Sequence, residues 1–412
     1  MTLLEELKWR GLIYDVTDEA IESVLENEKV TFYVGADPTA DSLHVGHLIS
    51  YLVSKRLQDR GHNPILVIGG GTGLIGDPSG KSNERNLLTL EETLSNAEAI
   101  TKQVLNILPD AHVVNNYDWI KKFDIIRFLR DIGKHFNITH MIQKDSVKSR
   151  LENGISFTEF TYQIIQSLDF MHLYKEENCT LQIGGQDQWG NITAGLELIR
   201  KTQGHEAKAY GLTWPLLTKA DGTKFGKTAG GAVWLDPKRT TPYEFYQYWI
   251  NASDDDAISL LKKFTFKTVE ETQTIIEEFK AAPHRRLAQK TIAEELTTLV
   301  HGQEAYESAV RISNALFKGD IKSLNVSEIS EGFKDVPSIT LEEDTSLIDT
   351  LIAAGLAKSR RESREFIKNN AISVNGDKVK DLEFIIKQSG AIDQTFTVLR
   401  RGKKRYALIK HK

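Results

Sequence analysis

The first half of the chain alternates apolar runs with amphipathic segments. Short apolar and β-branched runs predict strands at residues 30–35, 64–68, 111–114 and 181–184. Apolar residues at helical spacing predict helices at residues 46–60, 91–108, 158–174 and 188–201. This alternation predicts an α/β fold, a Rossmann-like parallel sheet with helices on both faces. Ligands in such folds bind at the carboxyl ends of the strands.

The second half has a different pattern. Helical periodicity dominates from Pro242 to Phe317, whereas residues 318–344 lack clean periodicity and contain Pro337. Two helices and three short strands are predicted after residue 346. The expected domains are a catalytic nucleotide-binding domain with a connecting insertion at 1–230, a helical domain at 231–320, a linker at 321–344, and a small α+β domain at 345–412.

The composition is that of a globular protein, with 40% hydrophobic and 26% charged residues. A run of ~18 apolar residues, which a membrane-spanning helix needs, is absent from the sequence. The first ten residues carry no signal-peptide pattern. The single cysteine, Cys179, excludes a disulfide framework and a multi-cysteine metal site. We therefore expect a cytoplasmic protein with no membrane partner.

The net charge of -5 conceals an uneven distribution. Residues 345–412 contain 15 Lys and Arg against 7 Asp and Glu, a net charge of +8, so residues 1–344 carry -13. An acidic body with a basic tail indicates a polyanionic partner for the tail. A basic surface without a partner is an equally good interpretation on charge alone.

The first candidate site is the segment from Asp37 to His47, Asp-Pro-Thr-Ala-Asp-Ser-Leu-His-Val-Gly-His. It lies between a predicted strand and a predicted helix, where free backbone amides and the helix dipole attract phosphate. His44 and His47 flank Gly46, which leaves room for a flat ring or a ribose. A histidine turn without a ligand explains so short a pattern equally well, and no third metal ligand stands nearby.

The second candidate site is the glycine-containing segment from Lys219 to Thr228. Lys224 and Lys227 are three residues apart, and a mobile loop of this kind can close cations onto a polyphosphate. Lys81 and Arg85 follow a glycine-containing run and could add further cations. All four side chains are also compatible with ordinary surface charge.

These two segments resemble the signatures of class I aminoacyl-tRNA synthetases, "HIGH" and "KMSKS", the second in the form Lys-Phe-Gly-Lys-Thr. Further runs resemble bacterial tyrosyl-tRNA synthetase at residues 33–39, 71–80, 157–163 and 182–191. The likeness extends over nearly the whole chain, and the tail resembles a small RNA-binding module first known from a ribosomal protein. Phe225 and Gly226 stand where the broader class has Met and Ser. The tyrosyl branch of the class tolerates this replacement.

The resemblance implies a two-step reaction. ATP and L-tyrosine form tyrosyl-adenylate and pyrophosphate, and the tyrosyl group then passes to the 3′-terminal adenosine of tRNA(Tyr). Mg²⁺ is expected to arrive with ATP, without a dedicated protein metal site. The catalytic residues implied are Thr39, His44, His47, Lys81, Arg85, Lys224 and Lys227. The ATP-binding residues implied are Asp37, Gly46, Gly185, Asp187, Leu216, Leu217, Lys227 and Thr228.

The amino-acid pocket can also be approached chemically. Tyr162, Gln166 and Asp169 are spaced by four and three residues on one predicted helix. This spacing places them on neighbouring turns, where they form a polar stripe. On this pattern alone, a core tyrosine with two solvated neighbours is the favoured interpretation. The resemblance reverses it and places Tyr33 and Asp169 on the phenolic hydroxyl of tyrosine. The tyrosine-binding residues implied are Tyr33, Asp77, Tyr162, Gln166, Asp169 and Gln188.

The basic tail is the main predicted RNA surface, because closely spaced cations suit phosphate contacts and make binding salt-sensitive. The predicted RNA-binding residues are Lys358, Arg360, Arg361, Arg364, Arg400, Arg401, Lys403, Lys404 and Arg405 in the tail, and Arg200 and Lys201 in the catalytic half. For Arg200 and Lys201 a solvated helix end is nearly as good an interpretation. The family implies a homodimer, and the apolar segments 125–132 and 157–160 could be interior or interface.

Three alternative functions remain open. A tryptophanyl-tRNA synthetase has a related fold and the same chemistry, but Tyr33 and Asp169 suit a phenol better. An RNA-binding regulator on a synthetase-like scaffold is disfavoured because both signature segments retain their chemical groups. A nucleotidyltransferase without an RNA partner is disfavoured by the basic tail.

Overall fold

The computed structural model describes residues 1–79, 88–148, 150, 154–223, 225–228 and 231–412, without the side chains of residues 145, 146, 227 and 228. The chain forms two compact units, residues 1–240 with 248–300, and residues 241–247 with 301–412. In the described part, no helix combines the length and apolar character needed to cross a membrane.

The described α-helices extend from Leu3 near the start of the chain to Lys368 in the tail. Up to residue 203 they are α1 Leu3–Arg10, α2 Ile21–Asn27, α3 Val45–Asp59, α4 Leu90–Ile107, α5 Tyr117–Ile120, α6 Ile125–Arg127, α7 Ile138–Gln143, α8 Asp145–Lys148, α9 Phe157–Glu176 and α10 Trp189–Gln203. Beyond residue 240 they are α11 Pro242–Ile250, α12 Asp254–Phe264, α13 Val269–Ala281, α14 Leu287–His301, α15 Gln303–Lys318, α16 Val326–Gly332, α17 Leu347–Ala353 and α18 Arg360–Lys368.

A six-stranded sheet organises the first unit. Its strands are β1 Asp15–Val16, β2 Thr31–Ala36, β3 Asn63–Ile68, β4 His112–Asn115, β5 Cys179–Gly185 and β6 Tyr210–Trp214, in the order β1-β6-β5-β2-β3-β4. Five strands are parallel, which confirms the predicted Rossmann-like sheet, and β1 pairs antiparallel with β6 at one edge. Strand β1 was not predicted, because two residues are too few to show a hydrophobic period.

The strand order opens a crevice between β2 and β5. From β2 the chain continues to β3 and β4 on one side, whereas β5 leads to β6 on the other. Where the strand order reverses in this way, the connections leave in opposite directions and expose the carboxyl ends of the two central strands. Helix α3, which starts after His44, follows β2 directly. The first signature segment therefore lies at the mouth of the crevice.

Helix α9 brings the polar stripe to the same place. Ser156 caps its start by accepting from the backbone N–H of Glu159, and the helix packs along α10. Tyr162 and Asp169 lie among its buried residues, beside apolar neighbours such as Leu168 and Phe170. The interpretation of a solvated Asp169, which the spacing alone favoured, is wrong, because this face of α9 packs into the core of the unit.

The second unit contains a five-stranded sheet. Its strands are β9 Ser338–Leu341, β11 Ile372–Val374, β12 Asp377–Lys378, β14 Phe396–Arg401 and β15 Arg405–His411, in the order β12-β11-β14-β15-β9. Short ladders also pair β7 Lys227–Thr228 with β8 Gly231–Ala232 and β10 Thr345–Ser346 with β13 Ile385–Ile386. The α+β character of the tail matches the prediction.

The segment predicted as a linker contains regular structure. Helix α16 begins at Val326 and is capped by the side chain of Asn325, and β9 pairs in parallel with the last strand, Ile339 opposite Ile409. Exposed and half-buried residues alternate along β9 over only four positions. So short an edge strand leaves too weak a pattern to be read from sequence.

Candidate active site

A cavity of about 540 Å³ opens at the carboxyl ends of the central strands. It brings together residues that are far apart in the sequence, from Tyr33 at the middle of β2 to Phe225 in the lysine segment. The predicted site residues that line it are Tyr33, Asp37, Thr39, His44, Gly46, His47, Asp77, Tyr162, Gln166, Asp169, Gly185, Asp187, Gln188, Leu216 and Leu217. The predicted histidine segment and the predicted amino-acid pocket therefore share one cleft.

The buried end of the cavity is built around Asp169, which is only 3% exposed. Its Oδ1 accepts from Trp119 Nε1 at 2.8 Å and its Oδ2 accepts from Asn116 Nδ2 at 2.9 Å. Burial raises the pKa of Asp169 to about 7, although the two donors oppose the shift. The carboxyl group is thus held rigidly and is close to its protonation midpoint at neutral pH.

Tyr33 lies beside Asp169 and is 2% exposed. Its hydroxyl has no hydrogen-bond partner among the residues that the structure describes. Burial, and next the charge of Asp169, raise the pKa of Tyr33 well above its usual value, so the phenol stays protonated. A buried hydroxyl without a partner is energetically costly, and a ligand hydroxyl at this end would relieve the cost.

Asn116 and Trp119, which hold Asp169, were not among the predicted site residues. Asn116 Oδ1 also accepts from the backbone N–H of Gly71 at 2.7 Å, and the Trp119 ring stacks on His172 at 4.4 Å between centroids. Both residues are ordinary in type and far from α9 in sequence. The available signal was the position of Asn116 directly after β4, at the edge of the sheet where ligands bind.

Asp37 joins the end of β2 to helix α9. Its Oδ2 accepts from the Tyr162 hydroxyl at 2.9 Å, and its Oδ1 accepts from Thr72 Oγ1 at 2.7 Å. A Cβ at Gly69 would lie 2.1 Å from Asp37 Oδ1, so only glycine fits there. The Asp37 carboxylate, predicted to act in ATP binding, is therefore engaged by protein donors in this structure.

A second polar cluster lies along the same wall of the cavity. Asp77 Oδ2 accepts from Gln188 Nε2 at 2.7 Å, and Gln166 Nε2 donates to Gln188 Oε1 at 3.2 Å. Asn191 Nδ2 donates to Gln166 Oε1 at 3.0 Å and so extends the cluster. Carboxylate and amide oxygens in this arrangement are acceptors that suit an ammonium group.

The outer end of the cavity carries the two histidines. Their rings stack at 3.8 Å between centroids, and His44 Nδ1 accepts from the backbone N–H of Gly46 at 3.1 Å. The backbone N–H of His44 in turn donates to His47 Nδ1 at 3.3 Å. A Cβ on Gly46 would lie 2.8 Å from the His44 ring. A side chain at residue 46 would therefore displace the His44 ring from this position.

The structure describes the lysine segment only in part. Lys81, Arg85 and Lys224 lie outside the described residues. The backbone of Lys227 and Thr228 forms strand β7, paired with β8, but their side chains are not described.

Arg200 and Lys201, the two RNA-binding cations predicted for the catalytic half, are not among the residues that line the cavity. Lys201 Nζ lies 2.7 Å from Glu197 Oε1 and donates to the carbonyl of His135 at 2.6 Å. Arg200 is exposed at the end of α10.

The predicted RNA-binding cations of the tail fall into two groups. Arg401 is 17% exposed, lies over the Phe366 ring at 4.6 Å, and donates to the carbonyl of Leu356 at 2.5 Å. Arg400 Nε is buried without a partner in the described part of the chain. Arg360 is exposed and bonds the Asp349 carboxylate at 2.8 and 2.9 Å. The exposed group also includes Lys358, Arg361, Arg364, Lys403, Lys404 and Arg405.

Comparison with known families agrees with this geometry. A family model described as "tRNA synthetases class I (W and Y)" matches residues 25–318. A second, described as "Tyrosine--tRNA ligase SYY-like C-terminal domain", matches residues 328–409. The first model leaves tryptophan and tyrosine open, and the second favours tyrosine.

Solved structures decide between the tryptophanyl and the tyrosyl family. A C-terminally truncated mitochondrial tyrosyl-tRNA synthetase of Aspergillus nidulans is 31% identical, with a TM-score of 0.69, over 77% of this chain and 94% of that one. The chain belongs to the tyrosyl-tRNA synthetase family. The corresponding enzyme of Coccidioides posadasii gives 30% identity and a TM-score of 0.66, over 76% of this chain and 91% of that one. A tryptophanyl-tRNA synthetase of Encephalitozoon cuniculi shares only the fold, at 15% identity and a TM-score of 0.54, over 74% of this chain and 87% of that one.

Family membership confirms the predicted enzyme class. The protein is an aminoacyl-tRNA ligase with ATP as a substrate, and the family implies tyrosine and tRNA as its other partners. The alternatives of a tryptophanyl enzyme and of a regulator on a synthetase-like scaffold are not supported by these matches.

Proposed function

We propose that the cavity binds L-tyrosine with its phenol at the buried end and activates it with ATP at the outer end. The observation that carries this proposal is the pair formed by Asp169 and Tyr33. The fixed carboxylate accepts a hydrogen bond from the substrate hydroxyl, and the Tyr33 hydroxyl donates to the substrate oxygen. Phenylalanine would leave the Tyr33 hydroxyl buried without a partner, at a cost of about 1–3 kcal/mol, and would also lose the hydrogen bond to Asp169.

The substrate ammonium binds at the second polar cluster. Asp77 supplies the charge, while Tyr162 and Gln166 supply further oxygens, and Gln188 orients the Asp77 carboxylate. This places the substrate carboxylate toward the histidines.

Adenylate formation is a displacement at phosphorus. A carboxylate oxygen of tyrosine attacks the α-phosphorus of ATP, the bond to the bridging oxygen breaks, and pyrophosphate leaves with the bond electrons. Thr39 and His44 contact the departing phosphates, His47 lies by the ribose, and Asp187 accepts from a ribose hydroxyl beside Gly185. Leu216 and Leu217 flank the adenine.

Charge stabilisation completes this step. Lys81, Arg85, Lys224 and Lys227 act on the pyrophosphate, where negative charge accumulates in the transition state. Among the described residues no group of three His, Cys, Asp or Glu side chains could hold a metal ion. We propose that Mg²⁺ arrives with ATP, bound through its phosphates and water, where it neutralises charge.

The second step transfers the tyrosyl group to tRNA(Tyr). The exposed cations of the tail, Lys403, Lys404 and Arg405, bind its phosphates, with Arg360, Arg361 and Arg364 on helix α18. Arg200 extends the contact in the catalytic unit. Bases are not read by such contacts, so they supply affinity rather than specificity.

Two further parts of the proposal concern assembly and location. Apolar side chains are exposed between residues 125 and 157, among them Ile125 at 72% and Phe157 at 77%. Such exposure is typical of a subunit interface, and it supports a homodimer. We propose a cytoplasmic location and a bacterial relationship on the sequence alone.

The proposal is tested by amino-acid-dependent exchange of labelled pyrophosphate into ATP. Tyrosine should support exchange, whereas phenylalanine and tryptophan should not. Equal exchange with phenylalanine would contradict the assignment of Asp169 and Tyr33.

Sedimentation of the same preparation, with an Ile125→Asp variant as a probe of the exposed apolar surface, tests the homodimer.

A further inference from the structure

We propose that Tyr248 is a positioning residue for adenylate formation, because its hydroxyl holds the backbone of Gly226 and thereby fixes the backbone that leads into Lys227. The inference rests on the proposed function of Lys227. The backbone N–H of Gly226 donates to the Tyr248 hydroxyl at 3.2 Å. Tyr248 lies on helix α11, outside both signature segments and 22 residues from Gly226.

An aromatic cluster secures the residue before Gly226. The Phe225 ring lies 5.9 Å from Tyr248, 5.9 Å from Trp249 and 5.4 Å from Phe264, measured between ring centroids. Trp249 and Phe264 are fully buried, so they form a rigid wall. Phe225 is thus fixed by packing, and the next peptide group is fixed by the Tyr248 hydroxyl.

The same peptide unit is tied to the first turn of helix α3. The Gly226 carbonyl accepts from the backbone N–H of Val233 at 3.1 Å, and the Val233 carbonyl accepts from the backbone N–H of Val45 at 2.9 Å. Gly226 has φ +84°, and a Cβ there would lie 3.1 Å from the backbone nitrogen of Gly46. Glycine is therefore required by both conformation and contact.

These contacts give a physical reason for the Phe-Gly pair in this signature. Phenylalanine fills the aromatic cluster, and glycine allows the loop to touch the histidine-bearing turn. Burial raises the pKa of Tyr248 to about 12, so its hydroxyl remains neutral at any working pH. A neutral hydroxyl can accept the Gly226 N–H without placing a second charge beside the lysine segment.

The consequence is specific to one step of the reaction. Pyrophosphate leaves only during adenylate formation, so the placement of Lys227 matters there and not in transfer to tRNA. A residue that acts through Lys227 should alter that step alone. A residue with a general structural role would instead affect tyrosine binding and transfer as well.

The test compares Tyr248→Phe with Tyr246→Phe, a matched change two residues away on the same helix, whose ring packs near Tyr306. Tyr248→Phe should slow single-turnover adenylate formation about fivefold, as expected for the removal of one hydrogen bond. The dissociation constant for tyrosine and the rate of transfer from preformed adenylate should not change. Tyr246→Phe should match the unmodified enzyme in all three measurements.

A double-substitution cycle with Lys227→Ala completes the test. In the Lys227→Ala background, Tyr248→Phe should cause no further slowing, because the residue through which it acts is gone. A full fivefold effect in that background, or no effect of Tyr248→Phe in the unmodified enzyme, would overturn the inference. If Lys227→Ala itself retained the unmodified rate, the proposed function of Lys227 would fail instead.

Discussion

The two ends of the cavity are built in different ways. At the buried end, side chains fix side chains: Asp169 is held by Trp119 and Asn116, and Asn116 Nδ2 also donates to Thr72 Oγ1. At the outer end, backbone geometry places the groups, through the first turn of helix α3 and the ladder from Val45 to Gly226. The difference suggests a division of labour, in which the buried end selects the substrate and the outer end stabilises charge that appears only in the reaction.

The largest effect that separates the two ends is expected from Lys227→Ala. Removal of a cation that stabilises transition-state charge should slow adenylate formation by ~10²–10³-fold. The dissociation constant for tyrosine should change less than about twofold, because no pyrophosphate is present in the tyrosine complex. Single-turnover rates and equilibrium dialysis measure the two quantities. Equal losses in both would show that the ends are not independent.

The next largest effect is expected from Asp169→Asn at the buried end. The charge-assisted hydrogen bond to the substrate phenol is removed, so kcat/KM for tyrosine should fall ~10–100-fold. The kcat/KM for phenylalanine should hardly change, so the ratio of kcat/KM for tyrosine to that for phenylalanine should fall by the same factor. Asp118→Asn, at an exposed aspartate of helix α5, is the control. A parallel loss for both amino acids would indicate general damage to the pocket.

A smaller effect is expected from pH. Since burial raises the pKa of Asp169 to about 7, its ionised fraction in the free enzyme should rise about tenfold between pH 6 and 8. Tyrosine affinity should rise in parallel, and the Asp169→Asn variant should show a flat profile. Isothermal titration at several pH values measures this. A flat profile in the unmodified enzyme would contradict the link between ionisation and binding.

The same pKa shift makes the free energy of unfolding depend on pH. The folded value, about 7, lies above the ordinary value of 3.8. The contribution of Asp169 to the free energy of unfolding is therefore full below pH 3.8 and is lost as the pH rises to about 7. Tyrosine binding should offset the loss, so the ligand-induced rise in Tm should be greater at pH 8 than at pH 6.

The smallest effect is expected in the tail, where some cations are half-buried and others are exposed. The combined change Lys403→Ala, Lys404→Ala and Arg405→Ala should raise KM for tRNA several-fold. It should also reduce the salt dependence of binding, by roughly 0.7–0.9 in logarithmic slope for each phosphate that is no longer neutralised. Pyrophosphate exchange should not change. Arg401→Ala should instead lower Tm, because Arg401 packs on Phe366. If Arg401→Ala raised KM for tRNA and the triple change did not, exposure would not identify the RNA-binding cations.

Sequence patterns predicted the features with strong local signals. The β3 run and helix α9 are long or uniform enough to be recognised, and the resemblance then assigned Tyr33 and Asp169. The roles of Asn116 and Trp119 could not be predicted, because nothing local distinguishes them from other polar and aromatic residues. Only the fold brings the end of β4 against α9.

The tail shows the same limit. Arg400 and Arg401 are indistinguishable from Lys403 and Lys404 in a one-dimensional charge count. Yet in the fold Arg401 donates to the Leu356 carbonyl, and Arg400 Nε is buried. Charge density along a sequence predicts a polyanion-binding region. It does not predict which cations in that region are available, since that depends on strand direction and on the neighbours that each side chain meets.

The central claim is that one cavity holds the tyrosine phenol at its buried end and the phosphates at its outer end. A crystal structure with a non-hydrolysable tyrosyl-adenylate analogue tests it most directly. We predict that the phenolic oxygen lies within ~3 Å of both Asp169 and the Tyr33 hydroxyl, and that the phosphate lies beside His44 and His47. A phenol that points toward the histidines, or an analogue bound outside this cavity, would contradict the account.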